Sequence, residues 1–233
     1  MNTDELEALF DQHASRYDQQ WEKMAPLNEA LYLFLKIFFS DFPSQAHILC
    51  VGAGTGKELL FLAKQFPGWQ FAVVEPSEAM LQVCRRSVTR AGFTSRCVFH
   101  HGYLETLEAE QKHDAATCFL VSHFIMDIQK RSLLFRQIAE QLKPEGLLIS
   151  SDLAADTASP QYQDSLSLWL QVVSAANTTE EEKDKIKEMY KKDVALLPPD
   201  KLASLIGQSG FEAPVPFYQA GLIHAFLSRV QTC

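Results

Sequence analysis

Apolar residues recur along this chain in two rhythms. Over residues 4–24, Leu6, Phe10, His13, Tyr17, Trp21 and Met24 fall at steps of three and four, which is one face of a helix. Pro26 interrupts that face, a greasier helix follows to about Phe39, and "SDFPS" ends it. From residue 47 short apolar runs alternate with amphipathic stretches. "HILCV" (47–51), "QFAVVE" (70–75), "RCVFHHG" (96–102), "DAATCFLVSH" (114–123) and "GLLISSDL" (146–153) have the length and β-forming content of strands. Between them, "KELLFLAKQF", "SEAMLQVCRRSVTRAG" and "SLLFRQIAEQL" have helical periodicity. In the second, Ser77 is placed to cap the start and Gly92 the end.

Strand and helix alternating through short connections predict an α/β fold with a parallel, doubly wound sheet and helices on both faces. After Asp152 the rhythm changes. Residues 160–195 read as helical, and the charged stretch "TEEEKDKIKEMYKKD" there is a solvated helix face rather than a binding patch. "PPDKLASLIGQSGF" is a further helix, with proline at its start and glycine at its stop. The runs "APVPFYQA" and "GLIHAFLSRV" meet at Gly221, too close for a parallel crossover, so they form an antiparallel hairpin. The expected organisation is one domain over 1–233. It comprises a helical segment (1–42), a core (45–153), a helical insertion (155–195), and a last helix with the hairpin (196–233).

Composition narrows the function classes. The chain has 233 residues, 47% of them apolar, enough for a sizeable core. A formal charge of −8 argues against a nucleic-acid footprint. The five cysteines include no C-x-x-C pair and lie mostly in apolar runs, which suits a reduced, cytoplasmic chain. "MNTDELEALF" is acidic and unlike a secretory signal, and "LYLFLKIFF" is too short to span a bilayer. No membrane association is expected, no group of His, Cys, Asp or Glu has metal-ligand spacing, and a homodimer is allowed.

The chemistry concentrates in "CVGAGTGKELL" (50–60). A phosphate-binding P-loop would need glycine where Val51 stands and Ser or Thr where Glu58 stands. A dinucleotide fingerprint would need glycine at Lys57 or Leu59. What remains is G-x-G-x-G after a first strand, with Glu75 about twenty residues on at the end of the second. With "EPSEAML", "LKPEGLL" and the closing hairpin, this resembles the class I S-adenosylmethionine-dependent methyltransferases over about residues 45–230. The resemblance implies a Rossmann-like seven-stranded sheet with an antiparallel last strand. It implies a loop Gly52-Ala53-Gly54-Thr55-Gly56 lying against the methionine end of the cofactor, and Glu75 on the ribose hydroxyls. Gly102, Tyr103 and Leu104 would lie near the adenine, with further cofactor contacts from Pro76, Met80, Leu120 and Val121. S-adenosylhomocysteine would be the product. "FDQHASRYDQQW" resembles a segment of small-molecule members whose tyrosine, here Tyr17, folds over the cofactor; packing in a helix pair is the alternative.

Two positions depart from the family pattern. Cys50 stands where many members have an acid that helps fix the loop and the cofactor's amino group, which shifts that work to backbone carbonyls. Tyr103 stands where an Asp meets the adenine amine. The chain also resembles, more distantly, the carboxy-S-adenosylmethionine synthases of wobble-uridine tRNA modification. In that alignment Glu188 occupies the position of a carboxylate-binding arginine and would repel the carboxylate, unless Lys187 or Lys191 substitutes. A non-catalytic cofactor-binding regulator is a third reading.

Methyl transfer to a hydroxyl usually needs a base. His123, just past the fourth strand, is the candidate, with a packed histidine as its alternative. His100 and His101 are adjacent on a strand and face opposite ways. The N-terminal helices and residues 155–195 are expected to form a lid. Trp21, Tyr162, Trp169 and Tyr218 either line an apolar pocket or belong to the core. A small, uncharged or cationic substrate is expected.

Overall fold

A computed structural model describes residues 3–20, 22–108, 111–174 and 179–232. Trp21 lies outside the described residues. Seven strands form one sheet in the order β3-β2-β1-β4-β5-β7-β6: β1 His47–Val51, β2 Gln70–Glu75, β3 Cys97–His101, β4 His113–Phe119, β5 Leu142–Leu153, β6 Val215–Ala220 and β7 Ile223–Arg229. β1 to β5 pair in parallel, and β7 runs antiparallel to both β5 and β6. The expected sheet and hairpin are both present.

The helices α3 Ala25–Phe38, α4 Lys57–Gln65 and α5 Glu78–Arg90 cover one face, and α6 Ile128–Gln141 and α9 Pro199–Gly207 cover the other. Leu35, Leu59, Leu62, Leu81 and Val88 pack on Ile48, Cys50 and Val73. Phe135, Ile138, Leu202 and Ile206 pack on Leu49, Ala116 and Leu148. Because neighbouring strand residues point to opposite faces, a strand buried on both sides reads as a continuous apolar run, as "HILCV" does. Two amphipathic helix layers supply the partners.

A third apolar cluster sits beyond the carboxyl ends of the strands. It joins Met24 to Tyr162, Leu166, Trp169 and Leu170 of α7 (Tyr162–Val173), to Tyr190 of α8 (Glu180–Asp193), and to Leu222 and Ile223. The first 24 residues are not one helix. They break after α1 (Thr3–His13) and resume as α2 (Tyr17–Gln20) and a 3-10 turn over Glu22–Met24. Pro26 does not end a helix but sits in the first turn of α3, where a missing backbone N–H costs nothing. β4 stops at Phe119, short of the expected His123, because Leu120 adopts a left-handed conformation (φ 57°). Its N–H bonds to Ser151 O at 2.7 Å. That turn aims residues 120–125 across the carboxyl edge of the sheet.

Candidate functional site

The glycine loop is held by backbone bonds. The N–H groups of Gly52 and Ala53 both donate to Val74 O, and Gly56 N–H donates to Ala53 O. All three glycines have positive φ. Gly56 caps α4 at φ 83°, and a Cβ there would meet Cys84 Sγ at 2.5 Å. Gly54 is different: φ is 55°, yet an added Cβ would find no protein atom within 4 Å. The space above Gly54 is a cavity.

Glu75 closes one side of it. Oε2 accepts from Gly54 N–H at 2.7 Å and Oε1 from Ser77 N–H at 2.9 Å, leaving lone pairs on both oxygens. The carboxyl is 6% exposed. Burial raises its pKa, and the Ser77 and Gly54 N–H groups partly offset that rise. Ser77 caps α5 by accepting from Met80 N–H at 3.1 Å. This side of the cavity is walled by Glu75, Pro76, Met80, Gly102, Tyr103, Leu104, Phe119, Leu120, Val121 and Phe124, and roofed by Leu6, Phe10 and Tyr17. Burial pushes the Tyr17 phenol up to about 12, with Glu75, Asp18 and Glu58 adding to the shift.

The cavity continues past Gly52, Gly54, Phe119 and Leu120 into a second chamber bounded by Ala53, Thr55, Asn28, Tyr32, Glu58, Ser151 and Tyr218. Glu58 is the residue that sequence reasoning passed over. In the sequence it stands out only as a misfit in a phosphate loop, but its place in the first turn of α4 turns it toward the chamber. It is 8% exposed, and burial drives its carboxyl up to about 7, with Glu75 adding to the rise. Ser151 Oγ, also buried, has no hydrogen-bond partner among the described residues. The cation on this wall, Lys57, is engaged with Asp18 at 3.3 Å.

Among the cofactor-contact candidates, Gly52, Gly54, Glu75, Pro76, Met80, Gly102, Tyr103, Leu104, Leu120, Val121 and Tyr17 line the first chamber, and Ala53 and Thr55 the second. Gly56 acts from behind the loop. Cys50 is fully buried in β1, and burial pushes its thiol well up. His123 is not brought to the cavity, which corrects the expectation of a base there. It is 2% exposed; its Nδ1 meets Asp152 Oδ1 at 2.7 Å, and its backbone N–H donates to the same oxygen at 2.9 Å. Asp152 also accepts from Ser122 Oγ. Arg131 Nε donates to Ser122 Oγ at 2.8 Å and Nη1 to Ala195 O at 2.7 Å, while Ala195 N–H donates to His123 O at 2.8 Å. The early turn at Leu120 carries His123 inward, so this network fixes the loop rather than serving the cavity. Trp169 is core, donating to Tyr190 Oη at 2.7 Å. Tyr218 does reach the second chamber. Glu188 points to solvent at 70% exposure and pairs with Lys191 at 2.6 Å.

Residues 48–146 match the methyltransferase-domain family. In this domain and in its fold the chain resembles the class I S-adenosylmethionine-dependent methyltransferases. It is 26% identical over 157 residues to a malonyl-[acyl-carrier protein] O-methyltransferase of Priestia megaterium, covering 67% of this chain and 54% of that one. A Nostoc punctiforme protein described as an O-methyltransferase superposes with a TM-score of 0.65 at 15% identity, over 94% of this chain and 60% of its own. An O-methyltransferase family protein of Burkholderia thailandensis gives 0.64 at 13%, over 97% and 60%. The chain thus spans a little over half the length of each of these relatives. Among the described residues no helix is long and apolar enough to cross a membrane.

Proposed function

We propose that this methyltransferase moves a methyl group from S-adenosylmethionine to a small-molecule acceptor, releasing S-adenosylhomocysteine. The observation that carries the reading is the empty space over Gly54, flanked by a buried carboxylate on each side. Glu75 has acceptor capacity for two ribose hydroxyls, and Pro76, Met80, Leu104 and Val121 offer an apolar slot for a base. Tyr17 covers the junction of the two chambers. Glu58, a buried carboxyl beside the glycine loop, suits the α-ammonium of the amino-acid end, the role left open by Cys50. Bound S-adenosylmethionine would supply a methyl group already activated on a sulfonium, so the chain's part is alignment and exclusion of water.

The relatives' names support an oxygen acceptor. The reduced cysteines Cys50, Cys84, Cys97 and Cys118 fit a cytoplasmic setting. Calorimetry with S-adenosylhomocysteine tests the reading: binding is expected, and Gly54→Val removes it by filling the space. No binding at millimolar ligand overturns it. The burial of His123 favours a second reading, a cofactor-binding protein without turnover. Incubation with a panel of small-molecule acceptors, read by mass spectrometry, separates the two. The carboxy-S-adenosylmethionine alternative is addressed by native mass spectrometry of the protein purified from cells. Plain cofactor or its demethylated product is expected, because the cation on the chamber walls, Lys57, is already engaged by Asp18. Stoichiometric carboxylated cofactor would promote that alternative.

A further inference from the structure

Beyond the post-β4 loop lies another cavity of about 510 Å³, between the start of α6 and the inserted helices α7 and α8. It shares Ile125 with the first chamber, so the two spaces lie on either side of one side chain. Its charge is opposite to that of the chain. Net charge is −8, yet the charged side chains on this wall, among the described residues, are Arg131 and Lys191, with no Asp or Glu.

Arg131 is fully buried. Its Nε and Nη1 are bonded to Ser122 and Ala195, but Nη2 has no hydrogen-bond acceptor among the described residues. The nearest carboxylate, Asp152, stands 3.5 Å away and shares its charge with His123 and Ser122. A buried guanidinium N–H without an acceptor is costly, and a ligand oxygen relieves that cost. Lys191 pairs on its outer side with the exposed Glu188, where solvent weakens the attraction. Tyr162 and Tyr190 add hydroxyls, and Tyr190, which accepts from Trp169, keeps its own proton to donate. The remaining walls are mainly apolar.

We propose that this cavity holds the methyl acceptor, and that the acceptor is a small apolar acid whose carboxylate is bound by Arg131 and Lys191. The proposal rests on the methyltransferase reading and revises the expected substrate from uncharged or cationic to anionic. Ile125 separates this cavity from the cofactor chambers, so the atom that takes the methyl group would be a hydroxyl oxygen at the other end of the acid, which gives up its proton as the O–CH3 bond forms and the S–CH3 bond breaks.

The full chain, saturated with S-adenosylhomocysteine, is titrated with benzoate and octanoate and with their neutral amides. The acids are expected to bind about tenfold more tightly than the amides. Lys191→Gln weakens the acids several-fold and leaves the amides unchanged, and Arg131→Lys, which keeps the charge but loses the guanidinium fork, reduces the preference at least as much. Should Arg131→Lys fail to fold, as judged by circular dichroism, Lys191→Gln decides alone. Equal binding of acid and amide, or an acid preference untouched by Lys191→Gln, overturns the proposal. Failure of S-adenosylhomocysteine to bind strikes the cofactor reading separately, and the acid preference is then read on the ligand-free chain.

Discussion

Asp18 accepts a hydrogen bond from the Thr55 hydroxyl at 2.7 Å, which ties the N-terminal segment to the glycine loop. The same oxygen lies 3.3 Å from Lys57 Nζ, at the start of α4. Asp11 does the like on α5, accepting from Ser77 Oγ at 2.6 Å and Ala79 N–H at 3.1 Å. Acids at two helix N-termini hold α1 and α2 across the cavity, where helix dipoles favour them. Residues 1–40 and 155–195 are therefore expected to behave as a lid. Asp18→Ala should weaken S-adenosylhomocysteine binding by about 1 kcal/mol, mostly through faster release. Amide exchange over α1, α2 and α7 should slow on ligand binding in the parent and less in the variant. Protection confined to the glycine loop would count against a lid.

Glu75 has two duties that substitution can separate. Its oxygens fix the Gly54 and Ser77 N–H groups, and under the proposed function their remaining lone pairs accept from the cofactor's ribose. Glu75→Ala should weaken cofactor binding by roughly 1–3 kcal/mol. Glu75→Gln, which retains one carbonyl acceptor, should fall between. NAD and ATP should not compete, since the loop lacks both of their fingerprints. Unchanged affinity in calorimetry would show that Glu75 serves the loop alone.

Much of this was legible in the sequence because the chemistry is carried by backbone spacing. The five parallel strands and the hairpin follow from apolar rhythm and are present, and the glycine loop follows β1 while Glu75 ends β2, the places their spacing predicts. What escaped depends on where single side chains turn. His123 follows a strand, which suggests an edge position, but the left-handed Leu120 ends β4 early and takes the imidazole inward. No pattern of side-chain types announces φ 57° at a leucine. Glu58 escaped for the converse reason: the sequence marks it only as a misfit in a phosphate loop, and only the packing of α4 reveals its burial. The breaks among the first 24 residues are equally silent, since Leu6, Phe10, Tyr17 and Met24 keep a helical rhythm across them.

The raised carboxyl of Glu58 gives binding and stability opposite pH dependences. Its pKa in the folded chain, about 7, lies above the ordinary 4.5. Between those values the folded state holds the proton more firmly than the unfolded one, so this group's contribution to stability is lost as pH rises through the window. Glu58→Gln should therefore raise the melting temperature of the ligand-free chain above pH 7 and leave it unchanged near pH 4. An ammonium prefers the ionised carboxyl, so S-adenosylhomocysteine affinity should rise from about pH 5.5 to 7.5, below the range where an α-amino group deprotonates. In Glu58→Gln that slope should vanish. Methylthioadenosine, which lacks the amino-acid end, should show no slope in either protein. A slope that persists in the variant would assign the titration elsewhere.

The buried pair His123 and Asp152 is expected to set the loop after β4 rather than to move protons from the acceptor. Burial raises the Asp152 carboxyl, but the His123 hydrogen bond and the Arg131 charge outweigh it and hold the pKa below the ordinary 3.8. The stability this contributes is present above pH 3.8 and is lost as pH falls through the lower folded value. His123→Asn, whose amide can still donate to Asp152, should keep most of the stability, and an acceptor found by the panel should turn over within about tenfold of the parent. A true general base would cost about 100- to 10,000-fold. His123→Ala should lower stability by about 1–3 kcal/mol by leaving Asp152 short of a donor, with the loss shrinking in acid. Asp152→Asn should do at least as much, since it leaves Arg131 buried without its counter-charge. A turnover loss of a hundredfold or more in His123→Asn, at unchanged melting temperature and cofactor affinity, would return His123 to the chemistry and require the loop to open during the reaction.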